Sequence, residues 1–187
     1  MQLEELIQKI TENGIKTESN EFEFDVIIYA TGFDAVTGAF NRIDIQGENS
    51  VSLKNKWTKG PRTFIGMMVD DFPNMFMILG PHAALGNNPR SIEHNVEWIS
   101  NFIDYMRKNN LTGAKAPANA VNEWHEFVSG KAESLLSNNV DSWMTGINLN
   151  VEGKQTRTVV RYTGTAPEYR ARCDDVAANN FKELHLF

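Results

Sequence analysis

Short β-rich runs that stop at glycine turns, followed by strongly periodic helical stretches, predict an α/β fold for this chain. Three observations carry that expectation. FDVIIYATGFD, from Phe24 to Asp34, holds Val26, Ile27, Ile28 and Tyr29 in succession without strict alternation, as a strand buried on both faces requires. MFMIL, from Met75 to Leu79, is a second apolar run, opened by Phe72-Pro73-Asn74 and stopped by Gly80-Pro81. Ile92, Val96, Ile99, Ile103 and Met106 recur at helical spacing, with Glu93, Glu97, Asn101 and Asp104 largely opposite.

In chain order, Glu4 to Thr11 reads as a strand, Glu12-Asn13-Gly14 as a hairpin turn and Ile15 to Glu18 as the returning strand. The polar turn Ser19-Asn20-Glu21 leads into the FDVIIYA strand. Thr31-Gly32 breaks that strand where a chain leaving an α/β sheet places a cofactor-facing turn. Asp44 to Lys59 reads as short strand, Gly47-Glu48-Asn49 turn, short strand, then a polar segment around Trp57. Asn88-Pro89 opens the main helix, Asn88 as N-cap and Pro89 where no N–H is needed, and Asn109-Asn110 with Gly113 ends it. A second helix is expected over Pro117 to Ser137. Asn138 to Lys154 is a polar loop with Gly146 and Gly153, of a length that usually serves a function. Val159-Val160 is a candidate strand, Ala166 to Ala178 a third helix and Leu184 to Phe187 a final strand.

With 187 residues, 41% of them apolar and 22% charged, the chain is long enough for one domain and a core, or a domain with an excursion. A net charge of −6 argues against a nucleic-acid or anionic-membrane surface, both of which need a basic face. The 18 Lys and Arg are scattered singly or in pairs. No apolar run approaches the ~20 residues of a membrane helix, and Met1 to Ile10 lacks the apolar stretch of a signal peptide. The single cysteine, Cys173, fits a reducing cytoplasm and reads as a small buried hydrophobe on a helix.

Dinucleotide cofactors normally require a Gly-x-Gly-x-x-Gly turn, where missing side chains let backbone N–H groups approach the diphosphate. Here no two glycines lie closer than six residues, so the chain has no such cradle and no phosphate loop. The four histidines, His82, His94, His125 and His185, fall at no metal-ligand spacing, and no metal is expected. Ser91 and His94 stand three apart on a helix without an acidic orienter or a nucleophile elbow, which leaves a hydrolase unsupported.

Six segments, in this order and spacing, carry a resemblance over nearly the whole chain. They are ATGFDAVTGAF at Ala30 to Phe40, KWTKGPRTFIGM at Lys56 to Met67 and DFPNMFMILGP at Asp71 to Pro81. NPRSIEHNVEWI at Asn88 to Ile99, DSWMTGIN at Asp141 to Asn148 and YRARCDDVAANNF at Tyr169 to Phe181 complete the set. Together they resemble the C-terminal third of Baeyer–Villiger monooxygenases, flavoproteins that use FAD and NADPH.

The resemblance implies the C-terminal part of a two-dinucleotide-binding-domain flavoprotein fold, incomplete as an isolated chain. Residues 1–30 would be the end of the NADPH-domain meander with a linking strand. Residues 31–110 would complete the FAD domain, and 111–187 would form a helical excursion, a mobile loop and the C-terminal segment. Thr31 and Gly32 would lie where the chain returns to the FAD domain. Asn87 and Asn88 would touch the flavin, since a helix start offers unpaired N–H groups and partial positive charge to the reduced ring. Ala84, Leu85 and Gly86 would border the ketone pocket, and Trp143 would contact NADP from the mobile loop. The family's catalytic arginine has no counterpart here, and Arg62 and Arg90 match other family positions, so no catalytic residue is assigned. HAALGNNPR is shorter than the serine-rich loop of many members and GINLNVEGK is longer than the common one, which bears on substrate rather than reaction.

Two readings follow from the same resemblance. In one, the chain is part of an enzyme that turns ketones into esters or lactones with FAD, NADPH and O2, competent only beside the missing N-terminal FAD/NADPH-binding portion. In the other it is a non-catalytic remnant that binds another protein through surface meant for that portion. Either way, the VIIYA segment is expected to expose apolar side chains on the isolated chain.

Overall fold

The computed structural model describes residues 5–30 and 32–187 and divides into two compact units, Met1–Phe33 and Asp34–Phe187. In the first, β1 (Ile7–Ile10), β2 (Gly14–Thr17) and β3 (Glu21–Glu23) form an antiparallel sheet in that order, pairing Ile10 with Ile15 and Ile15 with Phe22. The Glu5 carboxylate closes the second turn, accepting from Thr17 Oγ1 at 2.6 Å and Asn20 Nδ2 at 3.0 Å. Those bonds, Thr17 first, hold Glu5 below the usual carboxylate range.

The expected FDVIIYA strand does not form. Val26, Ile28 and Tyr29 stand 73%, 85% and 67% exposed. A strand buried on both faces needs neighbours to take its N–H and C=O groups, and beyond the Phe24 N–H, which donates to Asn13 O at 3.0 Å, no ladder among the described residues takes them. The expected exposure of this segment is thereby found.

The second unit is built on two cores. The larger joins α2 (Asn88–Lys108), α3 (Ala118–Ala132) and α4 (Ala166–Ala178) to the Phe64–Met68 turn and to Ala83, Ala84 and Tyr162. Residues on both sides of position 110 therefore enter one core. The smaller gathers Leu53, Trp57, Val69, Phe72 and Met77 around α1 (Leu53–Lys56). β4 (Ala114–Lys115) and β5 (His185–Leu186) pair antiparallel beside them.

Several expectations are corrected here. The second short strand before Trp57 is a helical turn, which sets Leu53 and Trp57 on one side facing the smaller core. MFMIL forms no ladder and bends at Ile78 and Leu79, and its side chains divide between the cores. Phe76 meets Phe102 edge-on at 5.9 Å, while Met77 fills the smaller cluster. Val159-Val160 forms no strand, and a single parallel bridge, Ala84 to Tyr162, stands nearby. α3 stops at Ala132 rather than Ser137, and α4 spans the expected residues.

The helix at Asn88–Lys108 forms, but its inward face is only partly the expected one, keeping Ile99 and Met106. Ser91, Asn95, Trp98, Ile99, Phe102 and Met106 are buried, whereas Ile92, Val96 and Ile103 remain about two-fifths exposed. Asn95 accounts for the rotation. Fully buried, it accepts from Leu79 N–H at 3.1 Å and donates to Tyr169 Oη at 3.3 Å, and Tyr169 in turn donates to Ile65 O at 2.7 Å. This polar chain ties α2, α4 and the segment before Gly80 together. Asn95→Ala is expected to cost about 2 kcal/mol in a denaturant melt, since it takes the acceptor from the part-buried Leu79 N–H and the donor from the buried Tyr169 oxygen, which keeps only its bond to Ile65 O.

Candidate functional site

The path to the helix start is packed tightly and then released. Ala83 and Ala84 are buried against the larger core, His82 N–H donates to Val160 O at 3.2 Å, and Tyr162 N–H donates to Ala83 O at 3.2 Å. From Gly86 to Arg90 the chain is exposed, with Leu85 intermediate. Asn87, not Asn88, is the N-cap of α2: its Oδ1 accepts from Arg90 N–H at 3.3 Å, and Asn88 is the first helical residue. Asn fits either position, so the motif alone left the cap ambiguous by one. A 21-residue helix thus presents its positive end at an exposed, glycine-preceded turn.

His82 anchors this path from beneath. It is wholly buried, and its Nε2 lies 2.9 Å from Val159 O. A carbonyl only accepts, so Nε2 carries the proton. Nδ1 lies 3.4 Å from Thr63 Oγ1, which donates to Pro81 O at 2.9 Å. Burial, with smaller contributions from His125 and Arg62, lowers the imidazole to about 4 against the opposing bond to Val159. His82 is a neutral structural group. Cys173 is likewise buried, its thiol pushed up to about 12 mainly by desolvation, as the sequence suggested for a small core residue.

A cavity of about 310 Å³ opens elsewhere in this unit. Asp34, Thr37 and Asn41 form one wall, Lys54, Trp57 and Lys59 another, and the loop from Trp143 to Thr158 closes it, with Val160 beyond. Val160 also accepts from His82, so the 158–162 segment serves the cavity with one residue and the His82–Ala84 path with its neighbours. The loop folds on itself: Thr158 N–H donates to Thr145 O at 2.9 Å and Asn148 N–H to Lys154 O at 2.9 Å. Thr158 sits between two glycines with positive φ. A Cβ on Gly60 would lie 2.2 Å from Thr158 Oγ1, and one on Gly146 would lie 2.6 Å from its Cγ2. Lys154 Nζ reaches across to the Asp34 carboxylate and to Thr37 Oγ1 at 2.7 Å. Lys54 and Lys59 are exposed at the rim and form no ion pair among the described residues.

The structure brings Ala84, Leu85, Gly86, Asn87 and Asn88 together as one continuous turn and places Trp143, half exposed, in the cavity wall. The cavity is lined by none of those five. Gly32 belongs to the first unit, with open space where a Cβ would stand, and Thr31 lies outside the described residues. Asp34, Thr37, Lys54, Lys59, Lys154 and Thr158 were not singled out from sequence. Asp34 and Lys154 are 120 residues apart, and no local pattern links them.

No protein-family model matches the chain. It is 42% identical over 179 residues to cyclohexanone 1,2-monooxygenase of Acinetobacter sp., covering 94% of this chain and 32% of that protein. It is 36% identical over 179 residues to a Baeyer–Villiger monooxygenase of Pseudooceanicola batsensis, covering 95% and 32%. The crystal structure of OTEMO in complex with FAD and NADP superposes with a TM-score of 0.87 at 36% identity, over 98% of this chain and 34% of that one. The fold is therefore α/β and matches the C-terminal third of cyclohexanone monooxygenase-type structures. More narrowly, the chain is homologous to the C-terminal third of the Baeyer–Villiger monooxygenases and spans about a third of the length of the relatives it matches.

Proposed function

We propose that this chain is the C-terminal part of a FAD- and NADPH-dependent Baeyer–Villiger monooxygenase that, with O2, inserts an oxygen atom into a ketone to give an ester or lactone. The observation that carries the reading is the free start of α2: a long helix whose first turn, Gly86 to Arg90, is exposed immediately after a rigidly packed approach. Such an end suits the electron-rich edge of a flavin. Asn87 and Asn88 would meet that edge, and Ala84, Leu85 and Gly86 would border the ketone. Thr31 and Gly32 would stand at the return into the FAD domain, within residues 31–110, with 1–30 ending the NADPH domain and 111–187 forming the excursion.

The residues present fit the flavin's edge and not its diphosphate, for which the chain offers no close pair of glycines. A further polypeptide portion must supply that grip. Apolar side chains open to solvent, Phe33 at 94% and Ile28 at 85% among them, support such a partner. The flavin, reduced by NADPH, would supply the oxygen-activating chemistry. Trp143, backed by the rim lysines Lys54 and Lys59, would offer an indole face and positive charge to the nicotinamide nucleotide. The lone buried Cys173 supports a reducing, cytoplasmic setting.

The test is to co-express the chain with the first two-thirds of a cyclohexanone monooxygenase-type relative and assay NADPH oxidation and lactone formation from a cyclic ketone. Turnover is expected; a stable complex without any would favour a non-catalytic, protein-binding remnant. In an active complex, Trp143→Ala is expected to weaken NADP+ binding by roughly tenfold, the loss of one stacking partner. Fluorescence titration with NADP+ checks it, and an unchanged affinity removes Trp143 from the site.

A further inference from the structure

We propose that Lys154 and Asp34 form a fastener that pins the 143–158 loop across the cavity, making both of them positioning residues for the ligand held there. The nature of that ligand rests on the function proposed above; the fastener itself does not. Lys154 Nζ bonds the Asp34 carboxylate and donates to Thr37 Oγ1 at 2.7 Å, with the two charged side chains only 16% and 17% exposed. Thr37 is itself buried. The pair is thus largely withdrawn from water and has a third polar partner, the condition under which an ion pair holds a geometry rather than merely decorating a surface.

The rest of the loop tip is tied chiefly to itself. Val151 N–H donates to Asn148 O at 3.1 Å, Lys154 N–H to Val151 O at 3.2 Å, and Gln155 Nε2 to Val151 O at 2.7 Å. Leu149 stands 76% exposed between these bonds. Local bonds keep the tip's shape but do not fix its place. Lys154 spans 120 residues to reach the opposite wall, and removing either charge leaves the other desolvated and unpaired, a state the loop escapes by swinging into water.

The 187-residue chain tests this directly, with chymotrypsin cutting at Leu149, a position that none of the variants alters. Lys154→Met is expected to raise the cleavage rate about tenfold while the helical circular-dichroism signal and melting temperature stay near wild type. The exchanged pair, D34K with K154D, is expected to return the rate to within about threefold of wild type. Lys154→Arg, which keeps the charge, is expected to fall between. Wild-type cleavage in K154M overturns the proposal, as does an exchanged pair cut as fast as K154M. So does K154M losing its helical signal as a whole, because a fastener acts on the loop and not on the core. In the co-expressed complex, NADP+ is expected to slow cleavage at Leu149. If it has no effect while the variants behave as expected, the nicotinamide assignment of the cavity falls and the fastener stands.

Discussion

Lowering the pH from 6.5 to 4 is expected to cost this protein about 3 kcal/mol of stability through His82 alone. The ordinary imidazole value of 6.5 applies to the unfolded chain, while the buried ring in the folded chain takes its proton only near 4. Across that interval the unfolded state binds a proton that the native state refuses, so stability is intact above 6.5 and is lost progressively down to 4. Protonation would also place charge beside Arg62 and His125, both of which already oppose it. His82→Gln keeps a donor for Val159 O but cannot titrate. The variant is expected to be somewhat less stable at pH 7.5, through imperfect packing, and to show a flatter pH dependence from 6.5 to 4. Urea melts at half-unit pH steps give the comparison, and parallel curves for the two proteins would exclude His82 as the source.

Gly60→Ala is expected to destabilise the second unit by about 3 kcal/mol. Its φ of +106° is strained for any L side chain, and the added methyl would stand 2.2 Å from Thr158 Oγ1. Thr158 is held from the other side by Gly146, so it has little room to retreat. The clash and the backbone strain are separable. Thr158→Ala removes the hydroxyl but not the strain, so combining it with Gly60→Ala is expected to recover roughly half of the loss. A double variant no better than the sum of its singles would mean that the contact between the WTKGP turn and the loop contributes nothing. Because the cavity wall depends on that contact, the same variants should speed cleavage at Leu149.

What the sequence revealed, and what it hid, divides along local and tertiary causes. The Asn13-Gly14 hairpin, the end of α2 at Asn109 and the whole of α4, opened by Thr165 as N-cap with Pro167 following, are written in short-range chemistry. The VIIYA run has the composition of a central strand, yet composition cannot provide neighbours, and without them the segment stays exposed. On α2 the stripe Ile92, Val96 and Ile103 looks more apolar than Ser91, Asn95 and Trp98. Asn95 nevertheless faces inward, because its partners, Leu79 N–H and Tyr169 Oη, exist only in the folded protein. The turn from Ala84 to Asn88 was visible through its helix-start motif. The cavity was not: Asp34, Lys54 and Lys154 come from three distant stretches, and only folding assembles them.

The most direct test of the central claim is flavin retention. Purified by itself, this chain is expected to be colourless. Co-expressed with a polypeptide carrying the Gly-x-Gly-x-x-Gly cradles, it should co-purify as a yellow complex with about one FAD per chain, read from the absorbance of the bound flavin. A tightly associated pair that remains colourless when supplied with FAD would contradict the claim that the α2 start completes a flavin site.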